Sequence, residues 1–240
     1  MARETVVIGI PMYAGMDLLD VTGPSEVFGN AAETLKHTVD LQVYLLAESN
    51  APVTSRFGVT LFPQRAFHEM DQLDVLWVPG GIADSLNPVI QAGVYIEYLK
   101  KWSRNARVVC SVCEGALLLA AAGLLDGYRA TTHWAFYRCL EAYPKVKVVQ
   151  PKDDVFPRYV LDPAKPRPGA RGIRLTGGGI SSGVDEALRL VQLLFGTKAA
   201  EDVQVTIQYF PEPPVQGTIP KIPPCPLPVA PGTKKAAGSA

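Results

Sequence analysis

The side chain with the clearest chemical potential in this 240-residue sequence is Cys113. It stands in SVCEG (Ser111–Gly115), directly after the apolar run Ala106–Val109 and ahead of the helix-forming stretch GALLLAAAGLL. Small residues two positions before and after it, Ser111 and Gly115, suit a sharp strand-to-helix turn that presents a nucleophile. A helix N-terminus there would favour the thiolate, the reactive form. The alternative is a small buried cysteine with no chemistry. Cys110 completes a formal C-x-x-C with Cys113, but it falls inside the apolar strand, and such a pair is poorly placed for a disulfide. Cys139 and Cys225 have no metal-ligand spacing and read as structural; no metal site is expected.

A thiol nucleophile needs a proton partner. Only three histidines are present. His37 and His68 stand among polar residues and read as surface groups. His133, in ATTHWAF, either lines a pocket or caps a helix. None lies near the turn TGGGISSG (Thr176–Gly183) in sequence, which argues against a full Cys-His-Glu triad. A carboxylate is the better candidate. Asp20 sits in LLDVTGP among Leu18, Leu19 and Val21, a setting that raises a carboxyl pKa and lets it stay protonated. Asp17 competes for the role, and an N-cap is the structural alternative for Asp20. Two glycine turns, Pro79-Gly80-Gly81 and Gly177-Gly178-Gly179, can offer backbone N–H groups to developing negative charge. Glu114, Ile180, His133 and Trp134 are expected to complete the pocket around Gly80, Gly81, Gly178 and Gly179.

The elements that must position these groups alternate. Thr5–Ile10, Val39–Glu48, Leu73–Gly81 and Ala106–Cys113 read as buried strands, apolar throughout. Between and after them, Gly23–Leu35, Asn87–Asn105, Glu114–Leu125, Ser182–Gly196 and Ala199–Phe210 read as helices. Continuous apolar strands separated by helices mean a mostly parallel sheet covered on both faces, an α/β fold with its site beyond the C-terminal strand ends. Ala51–Gln64 reads as a small β-hairpin. Arg158–Leu175 reads as two strands joined by a long loop. From Pro211 to Pro231, nine of 21 residues are proline, which excludes helix and central strand. Residues 1–210 are therefore expected to form one α/β domain and 211–240 a proline-rich extension.

Charge and composition exclude several classes. Basic and acidic residues balance at 23 each, without the basic excess of a nucleic-acid binder. No apolar run is long enough to span a membrane, and the N-terminus lacks a signal-peptide layout. Four cysteines do not make a disulfide scaffold, so a reducing cytoplasm is expected.

The blocks LLDVTGP, VPGG, SVCEGALLLAAAGLLDG, RATTHWA and LTGGGISSGVDEAL, in this order, resemble the ThiJ/PfpI superfamily, and most closely its bacterial isocyanide hydratases. The resemblance runs from about Val6 to about Pro214. It implies a flavodoxin-like three-layer sandwich, a homodimer, a small-molecule substrate and no metal or organic cofactor. It implies Cys113 as nucleophile and Asp20 as its acidic partner, hydrating an isocyanide to an N-formamide through a covalent thioimidate. Two features depart from the hydratase pattern. Glu114 follows the cysteine where hydratases usually carry threonine or serine, and the Leu161–Gly172 loop is long. Other cysteine chemistry of the superfamily, glyoxalase- or deglycase-like or hydrolytic, and an oxidation-sensing role for Cys113 are the alternatives.

Overall fold

A computed structural model describes residues 3–153, 155–163 and 172–228. In chain order the elements are β1 (Glu4–Pro11), α1 (Leu18–Leu35), β2 (Val39–Ala47), β3 (Val53–Thr54), β4 (Thr60–Leu61), β5 (Arg65–Ala66), β6 (Val75–Val78), α2 (Ala83–Ala92), α3 (Val94–Ser103), β7 (Val108–Ser111), α4 (Gly115–Ala121), β8 (Arg129–Ala130), α5 (Tyr137–Glu141), β9 (Lys147–Val148), β10 (Tyr159–Asp162), β11 (Ile173–Gly177), α6 (Ser182–Phe195) and α7 (Thr197–Thr206).

Seven strands form the central sheet in the order β10-β11-β7-β6-β1-β2-β5. All neighbours run parallel except β10 against β11. Strands β6 and β7 are buried along their whole length, as their unbroken apolar sequences require. One layer packs α1, α6 and α7 together; the other brings α2, α3 and α5 around α4. This is the α/β sandwich expected. The hairpin is present as the antiparallel pair β3–β4. The Arg158–Leu175 pair is present as β10–β11; residues 164–171 of the Leu161–Gly172 loop lie outside the described residues. Among the described residues, no helix is long and apolar enough to cross a membrane.

Two prolines misplace helix starts in a sequence reading. Helix α1 begins at Leu18, five residues before the expected Gly23, and carries Pro24 inside it. Pro24 has no N–H for the Asp20 carbonyl, four residues back. The indole N–H of Trp77 donates to that carbonyl instead, at 3.1 Å, so the helix continues. The expected helix Asn87–Asn105 is two helices. Pro88 lies inside α2 rather than at a helix start, and Gly93, at φ 77°, divides α2 from α3.

The C-terminal ends of β1, β6 and β7 converge at the elbow. Cys113 has φ 57°, a left-handed conformation rare for a residue with a side chain. Four hydrogen bonds hold the backbone there. Val112 N–H donates to the Val78 carbonyl (3.1 Å), Cys113 N–H to Gly178 (2.8 Å), and Gly115 N–H to Val112 (2.9 Å). The Thr132 hydroxyl donates to the Cys113 carbonyl at 2.8 Å. The turn is tight enough that a Cβ on Gly115 would fall on the Val78 carbonyl oxygen. Gly115→Ala is therefore expected to lower stability by about 1–3 kcal/mol, the usual cost of overpacking. Denaturant melts of the two proteins check this, and an unchanged midpoint would mean that the elbow has room to relax.

Candidate active site

Three groups meet at the elbow: the Cys113 sulfur and the carboxylates of Asp17 and Glu114. Their ligand-type atoms all lie within 4.8 Å of one another, and all three residues are buried. Asp17 caps α1 in position and pairs with Arg56 of the β3–β4 hairpin, Nη1 to Oδ1 at 3.5 Å. The spacing would let the three converge on one cation, though the Arg56 cation already approaches Asp17.

Glu114 points inward, onto the sulfur, rather than away along the helix. Burial pushes its carboxyl up to about 7, against the lowering pull of the Cys113 thiol and nearby backbone amides. Its Oε2 is buried with no hydrogen-bond partner, and the carboxylate lies within 4.8 Å of the Cys113 sulfur. Gly80 makes this possible, because a Cβ there would collide with the Glu114 carboxylate, its amide nitrogen and the Cys113 Cβ.

The thiolate expected at a helix N-terminus is not favoured here. Cys113 is 1% exposed. Burial first, then the nearness of the Asp20 and Glu114 carboxyls, hold its thiol well above the ordinary range. Helix α4 begins two residues later and the Cys113 N–H is already committed to Gly178, so no helix-end charge offsets the carboxylates.

Asp20 lies in the first turn of α1, not at its cap, and is fully buried. Its Oδ2 accepts from Gly80 N–H at 2.8 Å; its Oδ1 has no partner. Burial, then the nearby Glu114 carboxyl, raise its carboxyl well above the usual range, which favours the protonated form. The glycine turns are thus partly spent. Gly80 N–H serves Asp20 and Gly178 N–H donates to the Arg158 carbonyl at 2.8 Å, so neither is free for a developing anion. Gly81 faces Glu114 and lowers its carboxyl slightly.

His133 does both things its sequence allowed. Its Nδ1 accepts from Ala135 N–H at 3.3 Å, and the same nitrogen stands 3.7 Å from Glu114 Oε1. Its ring packs against Gly179, so a histidine does reach the glycine-rich turn in space. Burial lowers its pKa, which keeps the ring neutral. His133, Trp134, Gly178, Gly179 and Ile180 line a cavity of about 680 Å³ beside the elbow. His37 and His68 are exposed. Cys110 is a free, buried thiol in β7, not a redox partner. Sequence reasoning missed Glu186, a fully buried carboxyl on α6 with neither oxygen partnered, pushed well up by burial. Nothing in its helical pattern marked it.

The cysteines correct a second expectation. Cys139 and Cys225, read from the sequence as structural residues of a protein in a reducing compartment, are joined in a disulfide. The proline-rich chain folds back over 86 positions to bring them together, which spacing alone does not reveal.

The DJ-1/PfpI family matches residues 6–161. The chain belongs to that family. It is 37% identical to the isonitrile hydratase of Pseudomonas putida over 207 residues, 86% of this chain and 80% of that protein. The crystal structure of a ThiJ/PfpI family protein from Pseudomonas syringae superposes with a TM-score of 0.73 at 30% identity, covering 90% of this chain and 78% of that one. A deglycase of Thermococcus kodakarensis is 31% identical over 93 residues, 38% of this chain and 55% of that protein. DJ-1/PfpI membership therefore comes with more than one activity.

The buried carboxyls set a pH dependence. Unfolded, Glu114 loses its proton near 4.5; folded, it keeps it to about 7. The folded state binds more protons across that window, so stability is fully present below about 4.5, falls as pH rises, and levels off above about 7. The loss from Glu114 alone is at most roughly 3 kcal/mol, and Asp20 and Glu186 act in the same sense. Urea midpoints at pH 5 and pH 8 should fall with pH, and Glu114→Gln should shrink the fall. An increase over that range, or an equal fall in the variant, would contradict the assignment.

Proposed function

We propose that this chain hydrates isocyanides to N-formamides, with Cys113 as nucleophile and two carboxyls of unequal acidity moving the protons. The observation that carries the reading is the buried Cys113 thiol set against Glu114, on an elbow whose chain is 37% identical to an isonitrile hydratase. Residues 1–210 act as the catalytic α/β domain and 211–240 as an extension. The working unit is a cytoplasmic homodimer that needs no metal or organic cofactor and acts on a small molecule.

The division of labour follows from environment. Glu114, near neutrality, takes the thiol proton as sulfur attacks the terminal carbon of R–N≡C. Asp20, held protonated, supplies the proton that carbon acquires, leaving R–N=CH–S–Cys113. Water then adds to that carbon, giving one proton to the Asp20 carboxylate. The proton held on Glu114 passes to nitrogen as the C–O bond forms. The C–S bond breaks, the remaining hydroxyl proton returns to sulfur, and R–NH–CHO leaves. Each carboxyl ends as it began, and the sum is one isocyanide and one water. General acid–base catalysis of this kind is worth about 10²–10⁴ in rate. Asp17, paired with Arg56, moves no proton in this scheme.

Steady-state turnover of an aryl isocyanide tests the reaction. Wild-type kcat/KM should rise with pH through about 7, as Glu114 becomes able to accept the thiol proton. Cys113→Ala should abolish turnover with the fold intact. Glu114→Gln should cut kcat by on the order of 10² or more and remove that pH limb. Full activity in Cys113→Ala would overturn the nucleophile; an unchanged limb in Glu114→Gln would overturn the base.

Asp20→Asn separates chemistry from packing. Asparagine keeps an oxygen for the Gly80 N–H but cannot release a proton at this position. The expected result is a large loss of kcat with little change in melting temperature; a drop in melting temperature with kcat retained would make Asp20 a positioning group only.

A further inference from the structure

The segment 211–228 holds its place with little help from hydrogen bonds. Eight of its 18 residues are proline, each without a backbone donor. Among the described residues, no hydrogen bond ties 211–224 to the rest of the protein. Yet Gly217, Thr218 and Ile219 form one wall of the cavity beside the elbow, whose other walls include His133, Trp134 and Gly178. Those residues touch the reacting group's own supports. Thr132, also in the cavity wall, donates to the Cys113 carbonyl, and Gly178 accepts from the Cys113 N–H.

The span is fastened at its two ends. Just before it, the Tyr209 hydroxyl donates to Asp185 at 3.0 Å, the carboxylate that also pairs with Arg158. Beyond it, the disulfide joins Cys225 to Cys139 on α5, with a Cα–Cα separation of 4.9 Å. Cys225 and Leu227 are half-buried against the core, whereas Cys139 is buried within it. A stiff, donor-poor chain is well suited to this arrangement. It spans an opening without sheet or helix bonds, and two anchors decide where it lies.

We propose that residues 211–228 are a strap closing the substrate cavity, and that the Cys139–Cys225 disulfide is its redox-operated latch. That the cavity serves the substrate rests on the reading of Cys113 above; the latch itself does not. The co-reactant is a dithiol. One of its thiolates attacks the half-buried Cys225 sulfur, the S–S bond breaks, and Cys139 leaves as a thiolate that takes a proton. The second thiolate of the reductant then attacks its own sulfur in the mixed disulfide and displaces Cys225. Two electrons pass to the protein, which gains two thiols, and the reductant leaves as a disulfide. With the latch open, the covalent anchor at the far end is lost, and the wall made by Thr218 and Ile219 moves off the cavity.

The test uses the full chain in three forms: air-oxidised, reduced with dithiothreitol and desalted, and Cys225→Ser. Intact mass reads the disulfide. Trypsin reads the strap, because Lys221 lies within it and is followed by isoleucine. Iodoacetamide labelling of Cys113, located by peptide mass spectrometry, reads access to the elbow beside the cavity. We expect cleavage after Lys221 and labelling of Cys113 both to run several-fold faster in the reduced and Cys225→Ser proteins than in the oxidised one. Cys225→Ser should be indifferent to reductant. Absence of the disulfide in the oxidised protein, or equal cleavage in all three forms, overturns the latch. Equal labelling of Cys113 in latched and open forms removes the strap from the site. Neither readout needs turnover, so failure to hydrate isocyanides would overturn the proposed reaction and leave this result standing.

Discussion

One buried contact, a thiol facing a carboxyl, organises this protein. Cys113 and Glu114 are adjacent in sequence, and in an ordinary helix or strand their side chains would diverge. With the left-handed backbone at Cys113, both side chains face the same space beside Asp17 and Gly80. That conformation persists because the surroundings determine it: Val78 and Gly178 hold the backbone from two strand ends, and Thr132 holds the Cys113 carbonyl. Glycine at 80 leaves the volume the carboxyl fills. Remove the parallel sheet that aligns these strand ends and the contact has no reason to form.

Burial gives the contact its character. Water would let the thiol and both nearby carboxyls take ordinary values. In this site desolvation pushes all of them toward their neutral forms, so that the Glu114 carboxyl moves up to about 7 and the Asp20 carboxyl well above its usual range. A cluster that would be mutually repelling if fully charged is stable because most of it is not. The Arg56 cation at its edge comes from a hairpin that the sheet alone would not need.

The sheet was legible in the sequence because buried parallel strands are apolar along their whole length, and Thr5–Ile10 and Ala106–Val109 carry that signature openly. Helix starts were less so. Pro24 reads as a barrier until Trp77 is seen to take the carbonyl that proline leaves free, a contact between residues far apart in the chain. The elbow was legible from Ser111 and Gly115, whose small size the tight turn demands. The inward turn of Glu114 was not, since it depends on space at Gly80. Nor was the approach of His133 to Gly179, or the pairing of Cys139 with Cys225, because tertiary folding alone brings these residues together.

The central claim is that Cys113 becomes covalently bonded to the isocyanide carbon and then releases a formamide. Intact-protein mass spectrometry after rapid mixing with a reactive aryl isocyanide addresses it directly. The expected result is a transient adduct equal to the mass of one isocyanide, mapped to Cys113, that decays as formamide appears. Formamide production with no adduct at any mixing time, or an adduct on another residue, would contradict it.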